Sequence, residues 1–284
     1  MPGRLEAYGI CDTLPAFHTS HIAGRRAVVK SYKWHELSGP EVAQLSGETD
    51  VAILPIGCVE MHGPHLPTGT DAWTAEGMAV MIAERESAVV LPTLFYNIND
   101  EMMCYPGTIS ISPELMLRLY EEICSEAARN GFRRIVLLVG HGGSEHVTDF
   151  FQHSLLQRRE HVRLGYGVFR IYYPSLVQLA AQQFESGEES GGHGGEVETS
   201  FVLHFRPDLV HQGMLPADAD GPYLDKSIPG ATYFVDWIRR VPRGYHGRPD
   251  LATPEKGKAA ATAIADHCAQ IVRQIKAFDL GHDR

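Results

Sequence analysis

Four short apolar runs, at residues 51–56, 88–91, 135–139 and 168–172, constrain the fold of this chain more than any other feature of its sequence. Runs of this length suit strands buried on both faces, as in a parallel sheet covered on each side by helices. Between the second and third lies "SPELMLRLYEEICSEAARNG". There Ser112 is placed to cap a helix, Pro113 fits its first turn, and Gly131 stands where the helix should end. Met116, Leu119, Ile123 and Ala127 share one face, and the following "FRRIVLLVG" completes half of a βαβ unit. Thr253 and Pro254 open a second docking helix, with Ile264, Cys268, Ile271, Val272 and Ile275 on its apolar face. Strands alternating with helices predict an α/β fold with a mostly parallel central sheet. At 284 residues and 44% hydrophobic, the chain can bury one large core.

A net charge of -10 argues against binding to nucleic acid or to an anionic membrane surface, both of which want a basic face. The chain opens without a basic-then-apolar leader and has no run of eighteen apolar residues. Its cysteines (Cys11, Cys58, Cys104, Cys124, Cys268) are widely spaced, odd in number and without a CxxC pair, so they do not describe a disulfide framework. The expectation is a cytoplasmic protein with reduced thiols that acts on a small molecule.

In parallel sheets, sites form just beyond the carboxyl ends of the strands. Three polar, glycine-rich stretches fall there. The first, "LPIGCVEMHGPHLPTGTD" at 54–71, is too broken by glycine and proline to be a helix, yet it carries Glu60, His62, His65 and Asp71. Mixed carboxylate and imidazole donors suit Zn, Mn, Fe or Co, whereas an all-oxygen set would suit Mg or Ca. Glu60 and His62 face the same side if the segment is extended, and Asp71 has two oxygens with which to bridge two metals. Cys58 reads as a small buried residue at a strand end. The second stretch, "VGHGGSEH", gives His141, with Gly142 and Gly143 allowing close backbone approach to a ligand. It lacks the GxSxG nucleophile elbow of serine hydrolases. The third, "GGHGGEVETS", supplies His193, Glu196 and Glu198. In a helix the two glutamates would diverge by about 200°, so only one of them should be a direct ligand. Trp34, Trp73 and Trp237 are scattered and read as core or interface.

Taken in order, "LPIGCVEMHGPHLPTGTD", "YPGTISISPE", "GHGG", "HGGEVETS" and "GYHGRPDLATPEKGKAA" span about 210 residues and resemble the creatininase family of metal-dependent amidohydrolases. The resemblance implies a three-layer sandwich over residues 41–284, preceded by an N-terminal extension at 1–40. It also implies a dinuclear site for two divalent ions (Zn, Mn or Fe). By analogy Glu60, Asp71 and His141 hold one metal, His62 and the bridging Asp71 hold the second, and His193 is a catalytic acid or base. Where creatininase has a metal-binding glutamate two residues after the histidine matching His141, this chain has Gly143. In exchange Glu196 stands at a position that is apolar in creatininase. A swap of ligand supply follows, with Glu196 completing the second metal's shell and Glu198 orienting the site from behind.

The glycine pair makes the chain more similar to the broader branch of the family, which includes formamide hydrolases of flavin and deazaflavin biosynthesis and a peptide-processing enzyme of mycofactocin maturation. Creatininase closes a tryptophan-bearing loop over its substrate. Residues 178–192 contain no tryptophan here, which argues against creatinine. The expected activity is hydrolysis of a C–N amide bond in a small cyclic amide or formamide by a metal-bound hydroxide. A homo-oligomer is expected too, hexameric by resemblance. Two alternatives stay open: a dinuclear phosphoesterase, with "RRVPRGYHGR" at 239–248 as the basic segment, and a non-catalytic metal-binding protein.

Overall fold

The computed structural model describes residues 31–159, 165–186, 192–216 and 236–281. Its elements are α1 (Gly39–Ser46), β1 (Val51–Ile56), α2 (Thr70–Arg85), β2 (Val89–Val90), α3 (Pro113–Arg129), β3 (Arg134–Val139), α4 (Gly143–Arg158), β4 (Gly167–Tyr172), α5 (Glu196–Phe205) and α6 (Pro254–Ala277). The four strands form one parallel sheet in the order β2-β1-β3-β4.

Alternation along the two central strands divides the interior. Val51, Ile53, Val136 and Leu138 point to one face, where they meet Met78 and Ile82 of α2, Val197 and Phe201 of α5, and Ile264, Cys268 and Val272 of α6. Ala52, Leu54, Ile56, Ile135, Leu137 and Val139 point to the other, against Met116, Tyr120 and Cys124 of α3 and Phe151 and Leu155 of α4. Two cores on opposite faces of one sheet make three layers. All six residues of β1 are buried, and each large apolar side chain so removed from water contributes about 1.5–3 kcal/mol. The edge strand β4 departs from expectation: it is only half-buried, and Arg170 within it reaches Glu145 and Asp149 of α4. An edge strand has one neighbour, so it need not be apolar on both faces.

The capping signals work as local chemistry. The Ser112 hydroxyl accepts the Leu115 N–H at 3.4 Å, and Thr253 Oγ1 accepts that of Lys256 at 3.2 Å. The compact unit that carries the fold starts at Ser31. Trp34 packs on Phe132 with ring centroids 5.4 Å apart, and Lys33 bridges to Val90 of β2. The rest of the expected extension, residues 1–30, and Cys11 within it, lie outside the described residues. Among the described residues no helix is long and apolar enough to cross a membrane.

Register positions the site. Ile56 pairs with Val139, which pairs with Tyr172, so the chain leaves three adjacent strands at one level. Gly57, Gly140 and Tyr173 follow immediately.

Candidate metal centre

At the end of β1 the chain must pass the first turn of α2 at very short range. A Cβ on Gly57 would lie 2.2 Å from Ala72 N and 2.6 Å from the Asp71 carbonyl carbon, so only glycine lets the helix start this close to the strand end. Asp71, in that first turn, is thereby set beside Glu60 and His62. The Glu60 N–H is held by the Thr68 carbonyl at 2.7 Å. Glu60, His62, Asp71 and His141 are all buried.

Both imidazoles are anchored in the same way. The ring of His62 uses Nδ1 on the Glu60 carbonyl at 3.1 Å, and that of His141 uses Nε2 on the Ile98 carbonyl at 3.2 Å. A nitrogen held by a carbonyl is the protonated one, so the lone pair lies on the other. That other nitrogen faces carboxylates. His141 Nδ1 is 2.9 Å from Asp71 Oδ2 and 3.0 Å from Glu60 Oε2. His62 Nε2 is 3.2 Å from Asp71 Oδ1, 3.6 Å from Glu198 Oε2 and 3.9 Å from Glu60 Oε2, and it is buried with no hydrogen-bond partner. Lone pairs and carboxylates converging in a buried space repel one another unless a positive charge sits among them. The donor set therefore fits a cation. Among the described residues the groups able to hold one are Cys58, Glu60, Asp71 and His141; His62, Asp71 and Glu198; and Glu60, His62 and His193.

The titration of these groups reports the same field. Burial would lower His62, yet Asp71, then Glu198 and Glu60, push it up to about 10. Burial also opposes the charge on His141, but Glu60 and Asp71 hold it well above the ordinary range. The carboxyl of Asp71 is kept well below its usual value against burial, chiefly by His62 and His141. Glu198 moves the other way: burial, reinforced by Asp71 and Glu60, raises it to about 7 against the pull of His62. Burial pushes His193 down to about 4, and the charge on His62 adds to this.

The two glutamates of the third stretch are separated by the helix they open. Glu198 turns back over the N-terminus of α5, accepts the Gly194 N–H at 2.6 Å, and reaches His62. Glu196 points away, to Lys256 Nζ at 2.5 Å and to Ser186. The expectation that Glu196 completes a metal shell while Glu198 stands behind is corrected: the helix rotation between them brings Glu198 to the cluster and takes Glu196 out of it. A sequence signal existed. With Gly195 preceding the helix, Glu198 is its third residue, whose side chain folds back toward the N-terminal amides.

His193 lies against the cluster. Its ring stacks on His62 with centroids 4.0 Å apart, its Nε2 bonds the Met61 carbonyl at 2.6 Å, and its own carbonyl accepts the His246 N–H at 2.5 Å. Gly194 beside it has φ +65°, a conformation suited to glycine. His65 is not in the cluster. Its Nε2 bonds the Gly194 carbonyl at 3.1 Å and Thr199 Oγ1 at 3.0 Å, which straps the first stretch to the third. Gly142 and Gly143 sit at the start of α4, where first-turn amides have no intrahelical acceptor. Cys58 is buried, as its place at a strand end predicts. Its sulfur lies 3.2 Å from both Glu60 Oε2 and Asp71 Oδ2. Trp237, read as core or interface, places its ring edge-on to His193 at 5.1 Å; nothing in its neighbouring sequence signals this.

A three-layer α/β fold with buried carboxylates and imidazoles gathered at the carboxyl ends of its strands places a candidate metal site where α/β enzymes carry their active sites. The profile of the family described as "Creatininase: Creatinine amidohydrolase" matches residues 35–272, and the chain belongs to that family. It is 26% identical over 260 residues to the 3-dehydro-scyllo-inosose hydrolase of Thermotoga maritima, covering 80% of this chain and 78% of that protein. To the creatinine amidohydrolase of Pseudomonas putida it is 28% identical over 246 residues, covering 82% and 92%. A solved structure described as "Creatininase Mn" superposes with a TM-score of 0.75 at 25% identity, over 87% of this chain and 99% of that one. The chain is accordingly an amidohydrolase of the creatininase family, and creatininase structures contain metal.

Proposed function

We propose that this enzyme is a dinuclear metal-dependent hydrolase that cleaves a C–N amide bond in a small molecule, a cyclic amide or a formamide. The observation that carries this is the division of Asp71: Oδ1 faces His62 and Oδ2 faces His141. One carboxylate serving two imidazoles whose lone pairs point at it suits a bridge between two cations. Glu60, Asp71 and His141 would hold the first, and His62, Asp71 and Glu198 the second. Divalent Zn, Mn or Fe held there supplies an acidified water and a Lewis acid for the scissile carbonyl.

The protein's own part is positioning and proton transfer. Burial pushes His193 down, so its ring is neutral near pH 7. With Nε2 on the Met61 carbonyl, Nδ1 is the atom left to take a proton from the attacking water and pass it to the leaving nitrogen. The amides of Gly142 and Gly143, at the start of α4, would donate to a developing oxyanion. Assembly into a homo-oligomer and a cytoplasmic setting belong to the same proposal. Light scattering behind gel filtration tests the first.

The experiment is metal analysis of protein purified without chelator or nickel resin, followed by a screen of lactams, other cyclic amides and formamides. Two transition-metal equivalents per chain are expected, with either ring opening of a cyclic amide to the amino acid or release of formate and an amine from a formamide. No bound metal, and no uptake of added zinc or manganese, would overturn the proposal.

A further inference from the structure

Glu196 is completely buried and charged, yet it stands outside the cluster. Its carboxylate accepts the Ser186 N–H at 2.8 Å, the Ser186 hydroxyl at 2.5 Å and the Glu185 N–H at 3.1 Å, and pairs with Lys256 Nζ at 2.5 Å. Lys256 also bonds Glu185 Oε1 at 2.9 Å and the Leu251 carbonyl at 2.7 Å. A carboxylate taken out of water is costly unless paired and hydrogen-bonded, and this one is saturated on both counts. The start of α5, the start of α6 and the segment at Glu185 and Ser186 meet at this one group.

Two of these parts, Ser186 and Glu196, flank His193 in sequence. Beyond His193 the backbone is already held, by His65 on the Gly194 carbonyl and by Glu198 on the Gly194 N–H. Gly195, next to Glu196, donates its N–H to the Gly192 carbonyl at 2.9 Å and so closes the turn that carries His193 onto the start of α5, which Glu196 anchors. We propose that the Glu196–Lys256 pair is a positioning clasp for His193, which fixes the ring on His62 with its Nε2 proton on the Met61 carbonyl and leaves Nδ1 for proton transfer. The inference rests on the role given to His193 above, and it assigns Glu196 a purpose other than metal binding.

The test uses the full zinc-loaded chain with Glu196→Gln. Glutamine keeps the volume and one acceptor, and Lys256 retains Glu185 and the Leu251 carbonyl, so the fold survives. Zinc content should be unchanged. In long-range proton–nitrogen NMR spectra, the His193 signal, identified by its loss in His193→Ala, should change from one tautomer to a mixture. With p-nitroformanilide and formanilide as probes, turnover should fall about tenfold, as misplacement of a reacting group predicts. The fall should be larger for formanilide, whose leaving nitrogen needs the proton more. The same substitution should cost nothing further in a His193→Ala background. Lys256→Arg should resemble the unaltered protein, and Lys256→Met should resemble Glu196→Gln. An unchanged tautomer, or an equal loss in the His193→Ala background, would reduce the pair to a stabilising contact and overturn the clasp. Loss of a zinc equivalent would overturn it by returning Glu196 to the metal shell. If His193→Ala keeps full turnover, the catalytic role of that histidine falls, while the tautomer spectrum still judges the clasp.

Discussion

His62 Nε2 faces Asp71 Oδ1 across 3.2 Å while its other ring nitrogen is held by the Glu60 carbonyl. The second oxygen of Asp71 faces His141 at 2.9 Å. Removing the charge of Asp71 therefore weakens both proposed cation positions at once, whereas removing that of Glu198 weakens one. Elemental analysis after gel filtration should give no metal for Asp71→Asn and about one equivalent for Glu198→Gln. Turnover should drop at least 100-fold in both, beyond the 10–100-fold usual for outer-shell changes. Two equivalents retained in Asp71→Asn would remove the bridge.

His193 touches His62 by stacking and bonds the Met61 carbonyl through its ring. Its replacement by alanine should leave metal content unchanged and lower turnover by about 10²–10⁴, the range for a lost general acid or base. Addition of free imidazole should restore part of that loss. Near-normal turnover in the variant would take the histidine out of the chemistry.

In chelator-treated protein, His62 holds its proton up to about pH 10 because Asp71, Glu198 and Glu60 outweigh burial. A histidine raised above its unfolded value of about 6.5 contributes stability that is complete below that pH and is lost as pH rises toward the folded value. Metal-free protein should lose stability as pH rises from about 6.5 toward 10. His62→Gln should flatten the slope. Zinc uptake at pH 8 should expel the proton into a weakly buffered indicator solution, since a metal ligand must be the neutral imidazole. A flat melting profile without proton release would mean that the ring is already neutral.

Much of the fold was legible because its signals are local. Apolar runs, a serine followed by proline and a terminal glycine each act through neighbours in sequence, and β1, β3, α3 and α6 fall where these place them. The kinds of donor in the centre were legible too, since glycine-rich stretches after strands have few other reasons to carry histidine and glutamate. What failed to show was direction. Glu196 and Glu198 are two residues apart, and a helix rotates one to Lys256 and the other to His62. Cys58 and Trp237 entered the site through register and tertiary packing, which no local pattern encodes.

Gly57 is where sequence, packing and chemistry meet most narrowly. Because a Cβ there would sit 2.2 Å from Ala72 N, alanine at this position must push the first turn of α2 away from β1, and Asp71 moves with it. A clash against backbone cannot be relieved by a rotamer change, so Gly57→Ala should cost about 3 kcal/mol in urea unfolding, the upper end for overpacked cores. Metal retention through gel filtration should fall as well, since the Asp71 oxygens leave the two imidazoles. Gly39→Ala is the control: its added methyl meets nothing within 4 Å, and stability should stay within about 0.5 kcal/mol of the unaltered protein. If Gly57→Ala unfolds normally and keeps its metal, the close approach of strand and helix does not set the geometry of Asp71.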